Sequence, residues 1–206
     1  MIAIVDYGVG NLFSLKSSFK MIGQEVVVTS DARVLEESDK IILPGVGAFG
    51  DAIDKLRQAG LDKVVSGLVM GGKPLMGICL GMQLLFDGGY EHGLKSGLGL
   101  IPGFVKPISE IIPPELKVPQ IGWNALKLTS PKSPLFKYIE DGDSVYFVHS
   151  FSARECENSV IANTEYGVDL CAAVGNGNIY GCQFHPEKSG NVGLNILRGF
   201  CELEGV

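Results

Sequence analysis

The first half of the chain alternates short apolar runs with longer segments in which apolar residues recur every three or four positions. Short continuous apolar runs are typical of strands buried in a parallel sheet, and the spaced pattern is typical of helices packed against one. The pattern predicts strands at residues 2–5, 25–28, 40–43 and 74–78, and helices at about 12–21, 51–58, 61–70 and 80–86. This alternation predicts an open, largely parallel central sheet with helices on both faces.

The pattern changes after Gly103, where strand-like runs follow one another with little helix between them. These runs lie at residues 145–148, 160–163, 170–174 and 179–184, and a helical pattern at 191–203 closes the chain. Short connections join antiparallel neighbours, whereas parallel neighbours need a long crossover. The second half of this α/β fold is therefore expected to be mixed or antiparallel. No linker is visible, so residues 1–206 are predicted to form a single domain.

Cys79 lies at the predicted junction of a strand and a helix, within Gly77-Ile78-Cys79-Leu80-Gly81. Small residues around a nucleophile permit the strained strand-to-helix turn that projects its side chain from the carboxyl edge of a sheet. The start of a helix also favours the thiolate, which is the reactive form of the side chain. An isolated cysteine is more often an inert apolar residue. The glycine spacing favours a nucleophile here.

His185 follows a strand-like run and precedes Pro186 and Glu187. Because proline lacks a backbone N–H, it is typical of a strand end, and His185 is expected at the edge of the sheet. Residues two apart share a face in extended chain, so Glu187 is expected to accept a hydrogen bond from the second ring nitrogen of His185. A histidine near a strand end is often simply solvated, but the adjoining Pro-Glu pair favours a catalytic role.

Both motifs resemble those of the class I glutamine amidotransferases, which use a Cys-His-Glu triad. The resemblance rests on the elbow from Gly77 to Gln83 and on the segment from Gln183 to Ser189. Within that family, the chain most resembles the glutaminase subunits of imidazole glycerol phosphate synthase. Further segments that carry this likeness along the chain are Asp6-Tyr7-Gly8-Val9-Gly10-Asn11-Leu12, Pro44-Gly45-Val46-Gly47-Ala48-Phe49, Gly122-Trp123-Asn124 and Tyr146-Phe147-Val148-His149-Ser150.

The resemblance implies a class I amidotransferase fold and a division of catalytic roles. Cys79 would attack the carboxamide of glutamine, His185 would transfer protons, and Glu187 would orient His185. Backbone N–H groups would meet the developing oxyanion, one from Leu80 and others from the glycine-rich loop that contains Val46 and Gly47. Val46 is the residue whose N–H is expected to rotate toward the charge.

The resemblance also implies a set of residues that hold the substrate, namely Gly45, Gln83, Glu91, His149 and Ser150. Glu91 is the weakest of these assignments, because it follows a glycine-rich segment at 87–90 that is expected to be a variable loop. Relatives often have tyrosine after the His-Ser pair, and this chain has Phe151 there. Any hydroxyl contact at that position is lost.

A partner is implied as well, a (β/α)₈ cyclase subunit that forms a heterodimer with the chain. It would receive the ammonia and make imidazole glycerol phosphate for histidine biosynthesis. Asn11, Trp123 and Lys188 would lie at the interface, and no cofactor is implied. Two alternatives remain open, an amidotransferase subunit that feeds another acceptor enzyme, such as one that modifies a surface sugar, and a catalytically idle scaffold subunit. The intact triad argues against the scaffold.

Length, composition and charge limit the function further. A chain of 206 residues is too short for a glutaminase fused to its acceptor enzyme. Its net charge of -6 offers no basic surface, so nucleic acid is not an expected partner. The five cysteines are scattered and odd in number, which favours free thiols over disulfides or a metal site. With no signal sequence or membrane-spanning stretch visible, we expect no membrane association and a cytoplasmic location.

Overall fold

The computed structural model describes residues 1–203, which form thirteen strands and six α-helices. The strands are β1 Ile2–Val5, β2 Val26–Thr29, β3 Lys40–Leu43, β4 Leu75–Ile78, β5 Phe86–Gly89, β6 Lys95–Ser96, β7 Ile101–Pro107, β8 Gln120–Leu128, β9 Ser144–His149, β10 Phe151–Arg154, β11 Val160–Glu165, β12 Asp169–Asn176 and β13 Ile179–Cys182. The helices are α1 Leu12–Met21, α2 Ala32–Glu37, α3 Phe49–Gln58, α4 Leu61–Met70, α5 Leu80–Gln83 and α6 Gly190–Cys201.

Nine of the strands form the central sheet, in the order β2-β1-β3-β4-β13-β12-β11-β8-β9. The five strands from β2 to β13 run parallel to one another. The remaining neighbours pair antiparallel. The predicted change from a parallel first half to a mixed second half is therefore confirmed. The strand β13 joins the two parts, because it runs parallel to β4 and antiparallel to β12.

Helices cover both faces of this sheet, as the sequence predicts. Ile2 and Ile4 pack in one core cluster with residues of α1 and α6, whereas Ala3 and Val5 pack in the other with residues of α3 and α4. Successive side chains of a strand point to opposite faces, so β1 must be apolar throughout to fill both clusters. No helix in residues 1–203 has the length and apolar character that crossing a bilayer would require.

A second, four-stranded sheet in the order β10-β7-β5-β6 was not predicted. The predicted helix at 80–86 is wrong beyond Gln83, since Phe86 begins a strand. The carbonyl oxygens of Leu84 and Leu85 each accept a 2.8 Å hydrogen bond, from the N–H groups of Leu98 and Leu100. These distant partners replace the next helical turn, so the apolar run leaves the helix and enters the second sheet.

Candidate active site

The elbow at Cys79 is held between two parallel strands of the central sheet. Its backbone N–H donates to the Cys182 carbonyl oxygen at 2.8 Å, and its φ of 53° and ψ of -112° are strained for a residue with a side chain. The two flanking glycines are required because no side chain fits at either position. A Cβ on Gly81 would lie 1.9 Å from the Leu43 carbonyl oxygen, and one on Gly77 would lie 2.7 Å from the Gly81 carbonyl oxygen. The glycine spacing that predicts the elbow is therefore a packing requirement.

His185 and Glu187 meet by a different geometry from the predicted one. Residues Pro186–Lys188 form a 3-10 turn, so the expectation of extended chain is wrong at this point. The turn nevertheless brings His185 Nδ1 within 2.8 Å of Glu187 Oε1. Proline fixes a φ that suits the start of a helical turn, which explains why the strand ends in one. Both side chains are almost fully buried.

The charge state of His185 depends on its two acidic neighbours. Burial lowers the pKa of His185, but the hydrogen bonds and charges of Cys79 and Glu187 outweigh it and raise this pKa to about 9. Glu187 Oε2 is buried and has no hydrogen-bond partner among residues 1–203. The carboxylate is thus held through a single oxygen, and His185 is its partner.

These residues line or support a cavity of about 310 Å³ at the carboxyl edge of the sheet. A cavity of this size suits a ligand as small as an amino acid. The predicted site residues among its lining are Val46, Gly47, Cys79, Leu80, Gln83, Glu91, His149, Ser150, His185 and Lys188. Glu187 lies behind His185. Gly45, Asn11 and Trp123 do not line the cavity.

Comparison with known proteins identifies the family to which this site belongs. The profile of the family described as glutamine amidotransferase class-I matches residues 3–202. The chain belongs to the class I glutamine amidotransferase family. Imidazole glycerol phosphate synthase subunit HisH of Listeria monocytogenes serotype 4a (strain HCC23) is 46% identical to this amidotransferase over 98% of the chain and 96% of the relative. Subunit HisH of Geobacter metallireducens (strain ATCC 53774 / DSM 7210 / GS-15) is 49% identical over 97% and 96% of the two chains.

Solved structures support the fold of this amidotransferase independently of close sequence similarity. A crystal structure of a glutamine amidotransferase superposes with a TM-score of 0.76, at 20% identity and covering 98% of each chain. At 20% identity, this similarity is evidence for the fold alone. It confirms the predicted α/β class and the placement of helices on both faces of the central sheet.

The amide of Leu80, an expected oxyanion donor in this amidotransferase, is engaged elsewhere in the present conformation. Its N–H donates to the Gly45 carbonyl oxygen at 3.3 Å. A Cβ on Gly45 would lie 2.7 Å from the Gly81 nitrogen, so only glycine lets the loop come this close to the elbow. Tyr7 anchors the loop by donating its hydroxyl to the Pro44 carbonyl oxygen at 2.7 Å. The loop thus presents a carbonyl, not an N–H, to the elbow.

Gln183 contacts the thiol and was missed as a site residue by sequence reasoning. Its Nε2 lies 3.7 Å from Cys79 Sγ, and its Oε1 accepts a 2.9 Å hydrogen bond from Gln83 Nε2. Gln83 Nε2 also donates to the Phe151 carbonyl oxygen at 3.3 Å. The sequence signals for Gln183 were its place two residues before His185 and at the start of the segment that carries the family resemblance. Gln83 itself lies in the cavity, as expected for a substrate contact.

His149 lies buried near His185, held by a second glutamine that sequence reasoning also missed. Its Nε2 is 2.9 Å from Gln120 Oε1, and its Nδ1 is 2.8 Å from the Phe151 carbonyl oxygen. Burial lowers the pKa of His149 to about 4; the nearby His185 adds to this effect and the Phe151 carbonyl opposes it. His149 is therefore neutral near pH 7.

Glu91 and Ser150 both line the cavity. Glu91 Oε2 accepts a 2.7 Å hydrogen bond from the Phe49 N–H, in the first turn of α3. Ala48 at the start of α3 makes no side-chain cap, so Glu91 supplies the missing acceptor. Residues 87–89 belong to strand β5, which corrects the expectation of a loop for that part of 87–90. Ser150 is half-buried, and its carbonyl oxygen accepts a 3.0 Å hydrogen bond from the Ile108 N–H.

Of the three residues expected at a partner interface, only Lys188 lines the cavity. Trp123 is 56% exposed and packs edge-on against Tyr146. Lys188 Nζ lies 5.8 Å from the centre of the Tyr146 ring, so these two residues share one aromatic neighbour. Asn11 Oδ1 accepts a 3.3 Å hydrogen bond from the Ser14 N–H and thereby caps α1. This helix cap is by itself a sufficient reason for an asparagine at position 11, with or without an interface there.

Proposed function

We propose that the chain is the glutamine-hydrolysing subunit of an imidazole glycerol phosphate synthase, with Cys79, His185 and Glu187 as its catalytic triad. One observation carries the chemistry. His185, held at 2.8 Å by Glu187, lines the same cavity as Cys79, whose strained elbow aims the thiol into it. A nucleophile, a base and a carboxylate that orients the base are the parts that acyl transfer needs.

The reaction follows from these parts. Cys79 Sγ forms a bond to the carboxamide carbon of glutamine, and the carbon–nitrogen bond breaks as His185 gives a proton to the leaving ammonia. His185 then takes a proton from water, which attacks the thioester and releases glutamate. A pKa of about 9 keeps His185 protonated near pH 7, which suits its first role as the acid beside a thiolate. Gln83, Glu91, His149, Ser150 and Gly45 are proposed to hold the substrate around this centre.

Stabilisation of the oxyanion requires a change in the loop before α3. Rotation of the peptide unit between Gly45 and Val46 would withdraw the Gly45 oxygen from the Leu80 N–H and turn the Val46 N–H inward. Two donors would then face the position where negative charge develops. Gly47 is also part of the proposed oxyanion loop. Its φ of 98° is accessible to glycine and costly for other residues.

The acceptor of the ammonia is proposed to be a (β/α)₈ cyclase subunit. The support is the full-length similarity to HisH subunits, which carry the synthase in their names. Ammonia released into water near pH 7 is mostly protonated and no longer nucleophilic, so a docked acceptor avoids wasting glutamine. Exposed apolar side chains give such a partner a surface to bury; among them are Phe13 of α1, Val118 next to Pro119 of the cavity lining, and Ile121 and Trp123 of β8. With Asn11 and Lys188, these residues are the proposed interface.

The decisive experiment replaces Cys79 with alanine and assays the chain together with the cyclase subunit. Glutamine-dependent synthesis should fall to background, while synthesis from added ammonium salt stays near the wild-type rate, because the thiol is needed only to release ammonia. Cys201→Ala is the matched control, since this half-buried thiol lies on α6 away from the cavity. Glutamine turnover by Cys79→Ala near the wild-type rate would disprove the nucleophile. Loss of both activities, or no complex with the cyclase, would disprove the partner.

A further inference from the structure

The register of two parallel strands brings Gln183 to the nucleophile. Cys182 of β13 pairs with Ile78 of β4, so the next residues along the two strands, Gln183 and Cys79, emerge side by side at the carboxyl edge of the sheet. The Gln183 N–H donates to the Ala172 carbonyl oxygen at 2.8 Å, which holds the backbone in line with the sheet. The side chain is fully buried, and its Nε2 lies 3.7 Å from Cys79 Sγ.

The orientation of the Gln183 amide is fixed from its other end. Its Oε1 accepts the 2.9 Å hydrogen bond from Gln83 Nε2, and that same nitrogen donates to the Phe151 carbonyl at 3.3 Å. Because Oε1 of Gln183 faces Gln83, Nε2 of the same amide faces the Cys79 sulfur. Burial makes this arrangement matter, because a polar group without a partner is costly away from water.

We propose that Gln183 is a positioning residue for the reaction, whose amide N–H donates to the thiolate of Cys79 and holds the sulfur facing the cavity. The inference rests on the proposed function only in taking Cys79 as the nucleophile. A hydrogen bond to the charged form of a group favours that form. His185 and Gln183 thus act on the same sulfur, one through its charge and one through a neutral N–H.

Two substitutions separate this role from simple packing. Gln183→Met keeps the length of the side chain and removes the donor. Gln183→Glu keeps the size and the acceptor for Gln83, but places a carboxylate oxygen against the sulfur, which opposes the thiolate more strongly. Gln24→Met, at an exposed position after α1, controls for the change of an amide to a thioether.

The readout is the pH dependence of Cys79 alkylation by iodoacetamide, followed by mass spectrometry of the peptide that contains Cys79. The experiment uses the full chain alone, so it needs neither a partner nor glutamine turnover. Gln183→Met should raise the pH midpoint of alkylation by about one unit, and Gln183→Glu should raise it further; a unit corresponds to a tenfold change in the proton equilibrium. In the complex with the cyclase, Gln183→Met should lower kcat about tenfold and change KM for glutamine less than about threefold.

Unchanged alkylation midpoints in both variants would overturn the proposal, even if turnover were reduced. A role limited to packing would lower the melting temperature and leave the midpoints in place, so thermal unfolding of each variant is measured alongside. The proposed function fails if the wild-type chain is alkylated as expected but hydrolyses no glutamine with the cyclase. In that case, the alkylation midpoints of the two Gln183 variants still test the role of Gln183.

Discussion

The backbone N–H of Leu80 donates a 3.3 Å hydrogen bond to the carbonyl oxygen of Gly45. An amide beside the nucleophile is a natural donor to the oxyanion of acyl transfer, and here it is occupied by the chain itself. In the proposed mechanism, His185 is already held by Glu187, whereas the Leu80 N–H must first be released from the Gly45 carbonyl oxygen. We therefore expect the rate of glutamine hydrolysis to depend on the conformation of this loop.

The first prediction is that the chain alone hydrolyses glutamine slowly and that the cyclase loaded with its own ligand accelerates it strongly. One oxyanion donor contributes about a hundredfold to a thousandfold in rate, so stimulation should reach at least about a hundredfold. A ligand can shift the loop only if it binds the two loop states with different affinity. Steady-state glutamate release, with and without partner and ligand, measures the effect. Equal rates under all conditions would refute the gating and leave the triad intact.

A second prediction concerns Gly47→Pro in the same loop. Proline fixes φ near -65°, far from the observed 98°, and restricts Val46 before it. Stimulated turnover should fall by about a hundredfold while KM for glutamine changes little, because the change acts on the donors rather than on the bound substrate. Gly47→Ala is the control for backbone strain, because it keeps the N–H and its Cβ would meet no atom within 4 Å, while the φ of 98° is costly for alanine too. Its loss of stimulated turnover should be clearly smaller than that of Gly47→Pro, and an equal loss in both variants would point to backbone strain alone.

The third prediction is that Glu187→Gln slows turnover without abolishing it. The substitution keeps the shape and removes the negative charge that helps to raise the pKa of His185 against the effect of burial. We expect kcat to fall about a hundredfold, less than for Cys79→Ala. The upper limb of the pH–rate profile should also move below pH 9, because His185 would lose its proton more easily. Complete loss, equal to that of Cys79→Ala, would instead indicate that Glu187 maintains the fold.

The fourth prediction uses the buried His149, whose pKa falls from 6.5 to about 4 on folding. A lowered pKa means that the unfolded chain binds the proton more tightly, so this histidine destabilises the fold as the pH falls from about 6.5 toward 4. Between pH 7 and pH 5 its contribution to the free energy of unfolding should decline by about 2 kcal/mol. His149→Gln removes that decline, and urea unfolding at the two pH values measures it.

The comparison between wild type and His149→Gln isolates this one group. His185 has a raised pKa, so its own contribution is present below pH 6.5 and is lost as the pH rises toward 9. Both proteins keep His185, and its effect on the pKa of His149 is part of the decline that the comparison measures. His92→Asn serves as a control, because His92 is exposed and asparagine tolerates its positive φ of 56°. The same decline in wild type and His149→Gln would contradict the prediction.

Much of the parallel half of the fold was predictable from the sequence, because its signals are local. The runs at β1 and β3 and the helical spacing at α1 and α4 match the structure residue for residue. Each of these elements is defined by residues within one short segment, through apolar periodicity and glycine breakers. The elbow glycines around Cys79 and the Pro-Glu pair after His185 are local in the same way.

The second sheet and the long strand β8 were not predicted, because their pairings join distant segments. The helix expected at 80–86 is an apolar run that both a helix and a buried strand accept, and only the hydrogen bonds from Leu98 and Leu100 decide between them. The antiparallel half depends throughout on which strand lies beside which, and periodicity does not specify a neighbour.

What the sequence by itself determined is therefore the class of the fold and the elbow at Cys79, and it predicted Cys79 as a nucleophile with His185 and Glu187 as its partners. Only the tertiary structure decided that Glu187 reaches His185 through a 3-10 turn, and that Glu91 caps the helix beginning at Phe49. It alone places Gln183 against the thiol and the Gly45 carbonyl on the Leu80 amide. The physical reason is that such contacts arise where strand ends and loops converge, between residues far apart in the chain, whereas sequence patterns record only what each segment requires of itself.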